Sequence, residues 1–155
     1  MQGKQEIIDL LNSQLTLELT SMDQYLAHAK IYEDWGINKL HVKLSHEYEE
    51  ELGHAQQLAE RILFLEGQAD TVSRAKVNVG DNVKDMLAFD LEAEHMVADN
   101  LRKTIAVCEQ HQDYVTRDML LVLLDDTETD HIYWLERHLG LIEKIGLANY
   151  IQSQM

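Results

Sequence analysis

Two Glu-x-x-His pairs lie in separate helix-forming stretches of the chain, at Glu51/His54 and Glu128/His131. Residues three apart lie on the same face of a helix, so each pair can offer a carboxylate and an imidazole to one metal ion. Two such pairs, with one more glutamate from each of two further helices, make the ligand set of a dinuclear metal site in a four-helix bundle. The motifs therefore predict a metal centre, provided that the chain supplies two more glutamates and the bundle.

The composition favours a chain made of helices. Its 155 residues include no proline and seven glycines, and 45% of them are hydrophobic. A chain of good helix formers without proline predicts an all-α fold, and this length fits a single domain over residues 1–155. Cys108 is the only cysteine, so no disulfide can form within the chain.

The charge of the chain limits its partners. The formal net charge is -15, from 28 acidic and 13 basic residues. Such a chain repels nucleic-acid phosphates and attracts cations, although acidity also serves ordinary solubility. The start resembles no cleavable signal, and the longest apolar run, residues 119–124, is too short to cross a membrane. We therefore expect a cytoplasmic protein without nucleic-acid or membrane partners.

Apolar spacing predicts four long helices, over about residues 4–35, 38–66, 82–111 and 113–145, with a short fifth helix after Gly146. Residues 67–81 have no helical period. A chain segment of this length reaches about 50 Å when extended, whereas a helix of the length predicted here is about 42 Å long. The segment can therefore cross the whole bundle, which would make the second and third helices parallel.

Ionisable residues interrupt the apolar seam of each predicted helix near its middle. They are Glu18, Glu51, His54, Glu94, Glu128 and His131. A buried carboxylate costs several kcal/mol unless it is paired or coordinated. One seam glutamate alone would usually be a rim residue or the partner of an arginine, but four carboxylates at similar depth need about four positive charges. Two divalent cations supply them, and these donors suit iron, manganese or zinc.

A third Glu-x-x-His pair, Glu92/His95, tests this interpretation. Glu92 lies about 200° around the helix from Glu94. The seam that contains Leu91 and Ala98 includes Glu94 and turns Glu92 outward. We therefore assign Glu94 to the site and expect Glu92 and His95 on the surface.

These residues make the chain similar to bacterioferritin and bacterial ferritin subunits over nearly its whole length. The resemblance includes DQYLAHAKIYEDWG after Glu18, HEYEEELGHA around Glu51, RILFLEG, DYVTRDM, HIYWLE and GLANYIQSQ. It implies a ferritin-like four-helix bundle with a long crossover between helices two and three and a short fifth helix. It also implies a hollow shell of 24 subunits.

The resemblance further implies ferroxidase activity and iron storage. Two Fe(II) ions per subunit would be oxidised by O2 or hydrogen peroxide and deposited as ferric mineral, and a ferredoxin would be a partner for iron release. Glu51 and Glu128 would bridge the two irons. Glu18 with His54, and Glu94 with His131, would be terminal ligands. His46 and Glu50 would form an iron site on the inner surface.

The chain departs from the haem-binding type at Leu52. Bacterioferritins carry methionine directly after the bridging glutamate of helix two, and paired methionines ligate haem iron. Leucine cannot coordinate iron, so the resemblance implies no haem in the homopolymer. A mixed shell with a haem-binding bacterioferritin subunit stays open.

The fourth helix departs from typical bacterioferritins by one extra residue near positions 123–127, before Glu128. A single insertion can be absorbed as a π-bulge, a feature often found at functional sites. We expect it to shift His131 and to loosen the coordination by that side chain.

Two other functions compete with iron storage by oxidation. A rubrerythrin-like peroxidase would need an added cysteine-rich iron site, and a single cysteine argues against it. A structural shell subunit, whose site binds zinc or stays empty while a partner oxidises iron, also fits the sequence. Tyr25, on the seam of helix one, could donate an electron, hydrogen-bond a bridging carboxylate or simply pack in the core.

Overall fold

The computed structural model describes residues 1–155 and consists of helices without strands. The helices are α1 (Gln5–Asp34), α2 (Asn38–Phe64), α3 (Val83–Gln110), α4 (Tyr114–Asp125), a π-helical segment (Asp126–Ile132), α5 (Tyr133–Ile145) and α6 (Leu147–Gln154). The α4, π-helical and α5 segments together form the fourth long helix of a bundle. The predicted all-α, ferritin-like bundle with a short C-terminal helix is confirmed.

The ends of the helices follow from local sequence. The side chains of Asn82 and Asp113 accept hydrogen bonds from the backbone N–H groups of Asp85 and Thr116, and so cap α3 and α4. Gly36 separates α1 from α2 with a φ of 76°. This left-handed conformation suits glycine, which has no Cβ to clash with the backbone.

The segment between α2 and α3 runs along α1 from one end of the bundle toward the other. Its hydrogen bonds join it to α1 at successive turns, linking Asn12 with Gln68, Thr20 with Ala75, Gln24 with Asn78 and His28 with Gly80. Both α2 and α3 therefore begin at the end of the bundle where α1 finishes. The predicted crossover and the parallel arrangement of α2 and α3 are confirmed.

The apolar core consists of two clusters at opposite ends of the bundle. One includes Ile7, Leu11, Leu15, Leu58, Ile62, Leu101 and Leu120. The other includes Tyr32, Leu40, Leu44, Met86, Leu87 and Leu135. The predicted metal ligands on α1, α2 and α3 lie in sequence between the parts of each helix that enter the two clusters. None of the helices has both the length and the apolar character that crossing a membrane requires.

The predicted seam of the fourth helix is wrong by one residue before the π-helical segment. Heptad spacing counted back from Glu128 predicts Leu121 and Leu124 on the seam, whereas the structure buries Leu120, Leu123 and Thr127. The side chain of Leu121 is exposed. A π-helical turn contains more residues than an α-helical turn, so residue 127 rather than residue 128 shares the inner face with His131.

Tyr150 fixes the C-terminal helix to the bundle. Its hydroxyl shares a hydrogen bond of 2.6 Å with Nδ1 of His138. The same imidazole stacks on Trp134, with ring centroids 3.8 Å apart. Burial, together with the charges of Arg137 and Lys43, lowers the pKa of His138 to about 4.

The docking of α6 should therefore weaken in acid. The pKa of His138 is lower in the folded protein than its ordinary value of 6.5. Its contribution to stability is thus fully present above about pH 6.5 and is lost as the pH falls toward 4. Calorimetric melting temperatures between pH 7 and 5 should fall less for His138→Gln than for the wild type. His95→Gln, at an exposed position, is the matched control, and an equally steep fall for His138→Gln would contradict the assignment.

Candidate metal centre

Five of the six predicted ligands meet between the two apolar clusters. Glu18 comes from α1, Glu51 and His54 from α2, Glu94 from α3 and His131 from the π-helical segment, and each is at most 4% exposed. These residues interrupt seams that are otherwise apolar, so packing the seams together brings the ionisable side chains into one layer. The layer excludes water and contains more carboxylates than bases.

Glu51 lies at the centre of this layer. Its carboxylate belongs to two groups of potential ligands, one with Glu18 and His54 and the other with Glu94 and His131. Within each group the ligand atoms all lie within 4.8 Å of one another. Glu51 Oε2 is 3.8 Å from His54 Nδ1, and Glu51 Oε1 is 3.0 Å from His131 Nδ1. The arrangement could hold two cations with Glu51 between them.

Several polar atoms in the layer have no hydrogen-bond partner within the protein. They are Oε2 of Glu18, both carboxylate oxygens of Glu51, Nδ1 of His54 and Oε2 of Glu94. Buried polar atoms are normally satisfied, and an isolated buried charge is expensive. Their oxygen and nitrogen donors, one imidazole in each group, match the preferences of iron, manganese and zinc.

The crowding of carboxylates changes their proton affinities. Burial raises the pKa of Glu51 well above its ordinary value, and the charges of Glu18 and Glu94 raise it further. Burial also raises the pKa of Glu18, but contacts with Glu51 and His54 outweigh that effect and leave it at about 2. The protein therefore tolerates only part of the negative charge in this layer without a cation.

His131 faces carboxylates on both sides of its ring. Nδ1 lies 3.1 Å from Glu94 Oε1, and Nε2 lies 2.6 Å from both Glu47 Oε2 and Glu50 Oε2. Burial lowers the pKa of His131, but Glu94 and the other carboxylates raise it far more. Glu50 also lies 2.8 Å from His46 Nε2, so it joins the exposed His46 to the buried site. Glu47 was not among the predicted ligands, although it interrupts the α2 seam one turn before Glu51.

Glu128 lies outside the cluster, contrary to its predicted position on the seam. Its side chain is 45% exposed and accepts a hydrogen bond of 2.8 Å from Arg102 on α3. The sequence predicts a π-bulge near residues 123–127, whereas the π-helical segment covers Asp126–Ile132, and the side chain outside the site is that of Glu128 rather than His131. The role of Glu128 as a bridging ligand remains a prediction.

The surface placement of Glu92 and His95 is confirmed, because both are exposed while Glu94 is fully buried. Tyr25 donates a hydrogen bond to Glu94 Oε1. The structure therefore places the Tyr25 hydroxyl on the predicted terminal ligand Glu94 rather than on a predicted bridging carboxylate. Leu52, at the haem-ligand position, is half-buried on α2.

Comparison with known proteins agrees with the fold. The family model of the ferritin-like domain matches residues 8–145. The chain is 51% identical to a bacterial ferritin of Synechocystis over 100% of this chain and 99% of that protein. It is 52% identical to a bacterial ferritin of Pseudomonas aeruginosa over the full length of both. It is 35% identical to a bacterioferritin of Mycolicibacterium paratuberculosis over 97% of this chain and 94% of that protein.

This protein belongs to the ferritin family. The bundle, the crossover and a buried layer of carboxylates and imidazoles are all present in a chain that matches bacterial ferritins from end to end.

A divalent cation should stabilise this fold, since it binds a site that the unfolded chain lacks. At one hundred times its dissociation constant, Co(II) should add about 2.7 kcal/mol of stability. The stabilisation should grow as the pH rises, because the pKa values of His54 and His131 are raised in the metal-free protein and both imidazoles must lose a proton to bind metal. Melting temperatures of chelator-treated protein with and without Co(II), at pH 6 and 7.5, measure both effects.

Glu51→Gln should lose most of this stabilisation, because Glu51 belongs to both ligand groups. Glu92→Gln removes an exposed carboxylate of the same type and should keep it. A Co(II) effect in Glu51→Gln equal to that of the wild type would place the cation elsewhere.

Proposed function

We propose that this protein is an iron-storage subunit that oxidises Fe(II) at an intra-subunit di-iron site and deposits Fe(III) as mineral inside a shell of 24 subunits. The observation that carries the proposal is Glu51, whose two buried carboxylate oxygens have no hydrogen-bond partner and lie between two ligand groups. The membership of the chain in the ferritin family supports the same function. The net charge of -15 favours attraction of the cationic substrate.

Each subunit binds two Fe(II) ions as substrate. Glu18 and His54 hold one, Glu94 and His131 hold the other, and Glu51 bridges them. Each ion gives up one electron. The pair therefore reduces one O2 to hydrogen peroxide with two protons, or one hydrogen peroxide to two waters with two protons. The carboxylates stabilise the higher charge of Fe(III), because ionised oxygens are hard donors.

Neighbouring polar side chains orient the ligand carboxylates. Gln14 donates a hydrogen bond of 3.0 Å to Glu18 Oε1, and Asn100 donates one of 2.7 Å to Gln14. Tyr25 donates to Glu94. Each ligand carboxylate so held keeps its other oxygen, Oε2, without a protein partner. This arrangement leaves an oxygen of each terminal glutamate available for iron.

Glu128 completes the site as a second bridge when iron is bound. In this proposal the two cations draw the carboxylate of Glu128 away from Arg102. The ion pair that breaks is exposed, and such pairs contribute little to stability. The π-helical turn that carries Glu128 allows such a rearrangement, since its hydrogen-bond pattern can return to the α-helical one. Iron then leaves past His131 toward Glu50 and His46, which we propose as an iron site on the inner surface.

Replacing Glu51 with alanine should abolish rapid Fe(II) oxidation, because both irons lose their shared ligand. The loss should exceed the roughly 10- to 100-fold effect typical of residues outside the ligand shell. Stopped-flow mixing of Fe(II)-loaded protein with O2, and separately with hydrogen peroxide, measures the rate and identifies the oxidant.

Glu92→Ala is the matched control on α3 and should oxidise iron at the wild-type rate. Light scattering should find both variants at the wild-type mass, which the proposed shell sets at 24 times the 17.9 kDa of one chain. Normal oxidation by Glu51→Ala would refute the proposed centre, and a stable monomer would refute storage in a shell.

A second candidate function is a subunit that co-assembles with a haem-binding bacterioferritin, with its own site slow or structural. Two observations favour it. Leu52 offers no donor atom at the haem-ligand position, and Glu128 lies outside the metal cluster. The oxidation rate of the homopolymer separates this function from the first, because a slow wild-type protein would support the mixed shell.

The homopolymer should not bind haem through paired methionines. Apoprotein mixed with haem should give no absorption spectrum of bis-methionine ligation, since the leucine side chain is a hydrocarbon. Leu52→Met restores the donor and should produce that spectrum. Stoichiometric bis-methionine haem in the wild type would contradict the prediction.

A further inference from the structure

Lys43 is a cation beside the candidate metal centre that the proposed function does not use. It lies on α2, and its Nζ is 2.6 Å from Glu47 Oε1. The same Nζ is 5.3 Å from the centre of the Trp134 ring on α5, within the range of a cation–π contact. The side chain of Lys43 is 25% exposed, whereas that of Glu47 is 4% exposed. The ammonium group therefore lies at the rim of the site, between α2 and the fourth long helix.

Glu47 is held between Lys43 and His131. Its Oε1 faces Lys43, and its Oε2 lies 2.6 Å from His131 Nε2. These contacts are ion pairs rather than hydrogen bonds, since neither oxygen of Glu47 has a hydrogen-bond partner. Burial raises the pKa of Glu47, but His131 and Lys43 outweigh that effect and leave it below its ordinary value. Glu47 is therefore a buried, ionised carboxylate, and part of its counter-charge comes from Lys43.

Glu47, Glu50 and His131 form a third group of potential ligands, whose atoms all lie within 4.8 Å of one another. Nε2 of His131 lies 2.6 Å from both carboxylates of this third ligand group, while its Nδ1 faces Glu51 in the buried centre. Glu50 also contacts the exposed His46. The third ligand group therefore lies between the two-ion centre and the exposed His46, and a cation there would need the carboxylate of Glu47.

Stabilisation of α2 alone does not explain the pairing of Lys43 with Glu47. The two residues are one turn apart, and a lysine placed before a glutamate at this spacing is the weaker order of such a pair. Exposed ion pairs contribute little to stability, and burying a carboxylate is unfavourable. The pair therefore gains its significance from the buried carboxylate that it engages, which belongs to a ligand group.

We propose that Lys43 is a specificity-determining residue, whose ammonium group competes with metal ions for Glu47 and so weakens cation binding by the third ligand group. An ammonium group has no lone pair to offer a metal, and it repels a divalent cation placed beside it. Iron that reaches the inner surface is then held by Glu50 and His46 without Glu47, and it moves on into the cavity. The inference rests on the proposed function and adds a residue that controls one step in the path of iron.

Calorimetric titration of the chelator-treated protein with Co(II) tests this role. In the wild type, two Co(II) ions per subunit should bind tightly and a third weakly. Lys43→Gln should bind the third ion at least about tenfold more tightly, a gain of about 1.4 kcal/mol, because Glu47 becomes available as a ligand. Lys43→Arg keeps the positive charge and should bind the third ion as the wild type does.

Two further variants separate the carboxylate of Glu47 from the general effect of charge. Lys103→Gln removes the charge of an exposed lysine on α3 and should bind Co(II) as the wild type does. The double variant Lys43→Gln, Glu47→Gln should lose the gain, since the freed carboxylate is what binds the ion. Light scattering checks that each variant assembles. Lys43→Met, which keeps an unbranched side chain against Trp134, serves as a second variant without the charge.

Equal affinities of the wild type, Lys43→Gln and Lys43→Met for the third ion, with two ions bound normally, would overturn the role of Lys43 and leave the buried centre standing. A gain that is matched by Lys103→Gln, or that persists in the double variant, would also overturn it. So would tight binding of three ions by the wild type, because Lys43 would then exclude nothing. Failure of the wild type to bind Co(II) would overturn the proposed centre and, if Lys43→Gln also binds none, the role of Lys43 as well.

Discussion

The burial of several carboxylates in one layer is the constraint on which the rest of this structure depends. Glu18, Glu51 and Glu94 lie fully buried between two apolar clusters, where an isolated charge would cost several kcal/mol. Hydrogen bonds from neighbouring residues satisfy only some of their oxygens. The remaining unpaired oxygens converge around Glu51. A bundle stabilised by apolar packing at both ends can hold such a layer, and bound cations would neutralise its charge.

The fourth helix distributes the charged side chains around this layer. An ordinary α-helix through residues 126–132 would place Glu128 and His131 on one face, as their spacing suggests. The π-helical turn instead pairs Thr127 with His131 on the inner face. It sends Asp126 toward α2 and Glu128 toward α3. The π-helical turn thus changes which carboxylate contacts the site, while the apolar packing of the bundle continues on both sides.

The outer surroundings of the two imidazoles connect the metal centre to the surface in two directions. His54 is joined to the partly exposed Asp126, and His131 is joined through Glu50 to the exposed His46. In the proposed function, Fe(II) enters this buried centre and Fe(III) leaves it. Two chains of contacts, both ending in exposed ionisable groups, are consistent with separate entrance and exit sides.

The sequence by itself determined the helices, the crossover and five members of the buried layer. These features depend on local helix formation and on the period of apolar residues, which the order of residues contains directly. The heptad pattern also distinguished the buried Glu94 from the exposed Glu92, because each residue turns the helix by a fixed angle. Only the tertiary structure decided the positions of Glu128, Asp126 and Glu47. A π-helical turn changes which residues face the core, and the spacing of apolar residues does not locate that turn. Contacts such as Asp126 with His54 join residues that are distant in sequence and meet only when the helices pack.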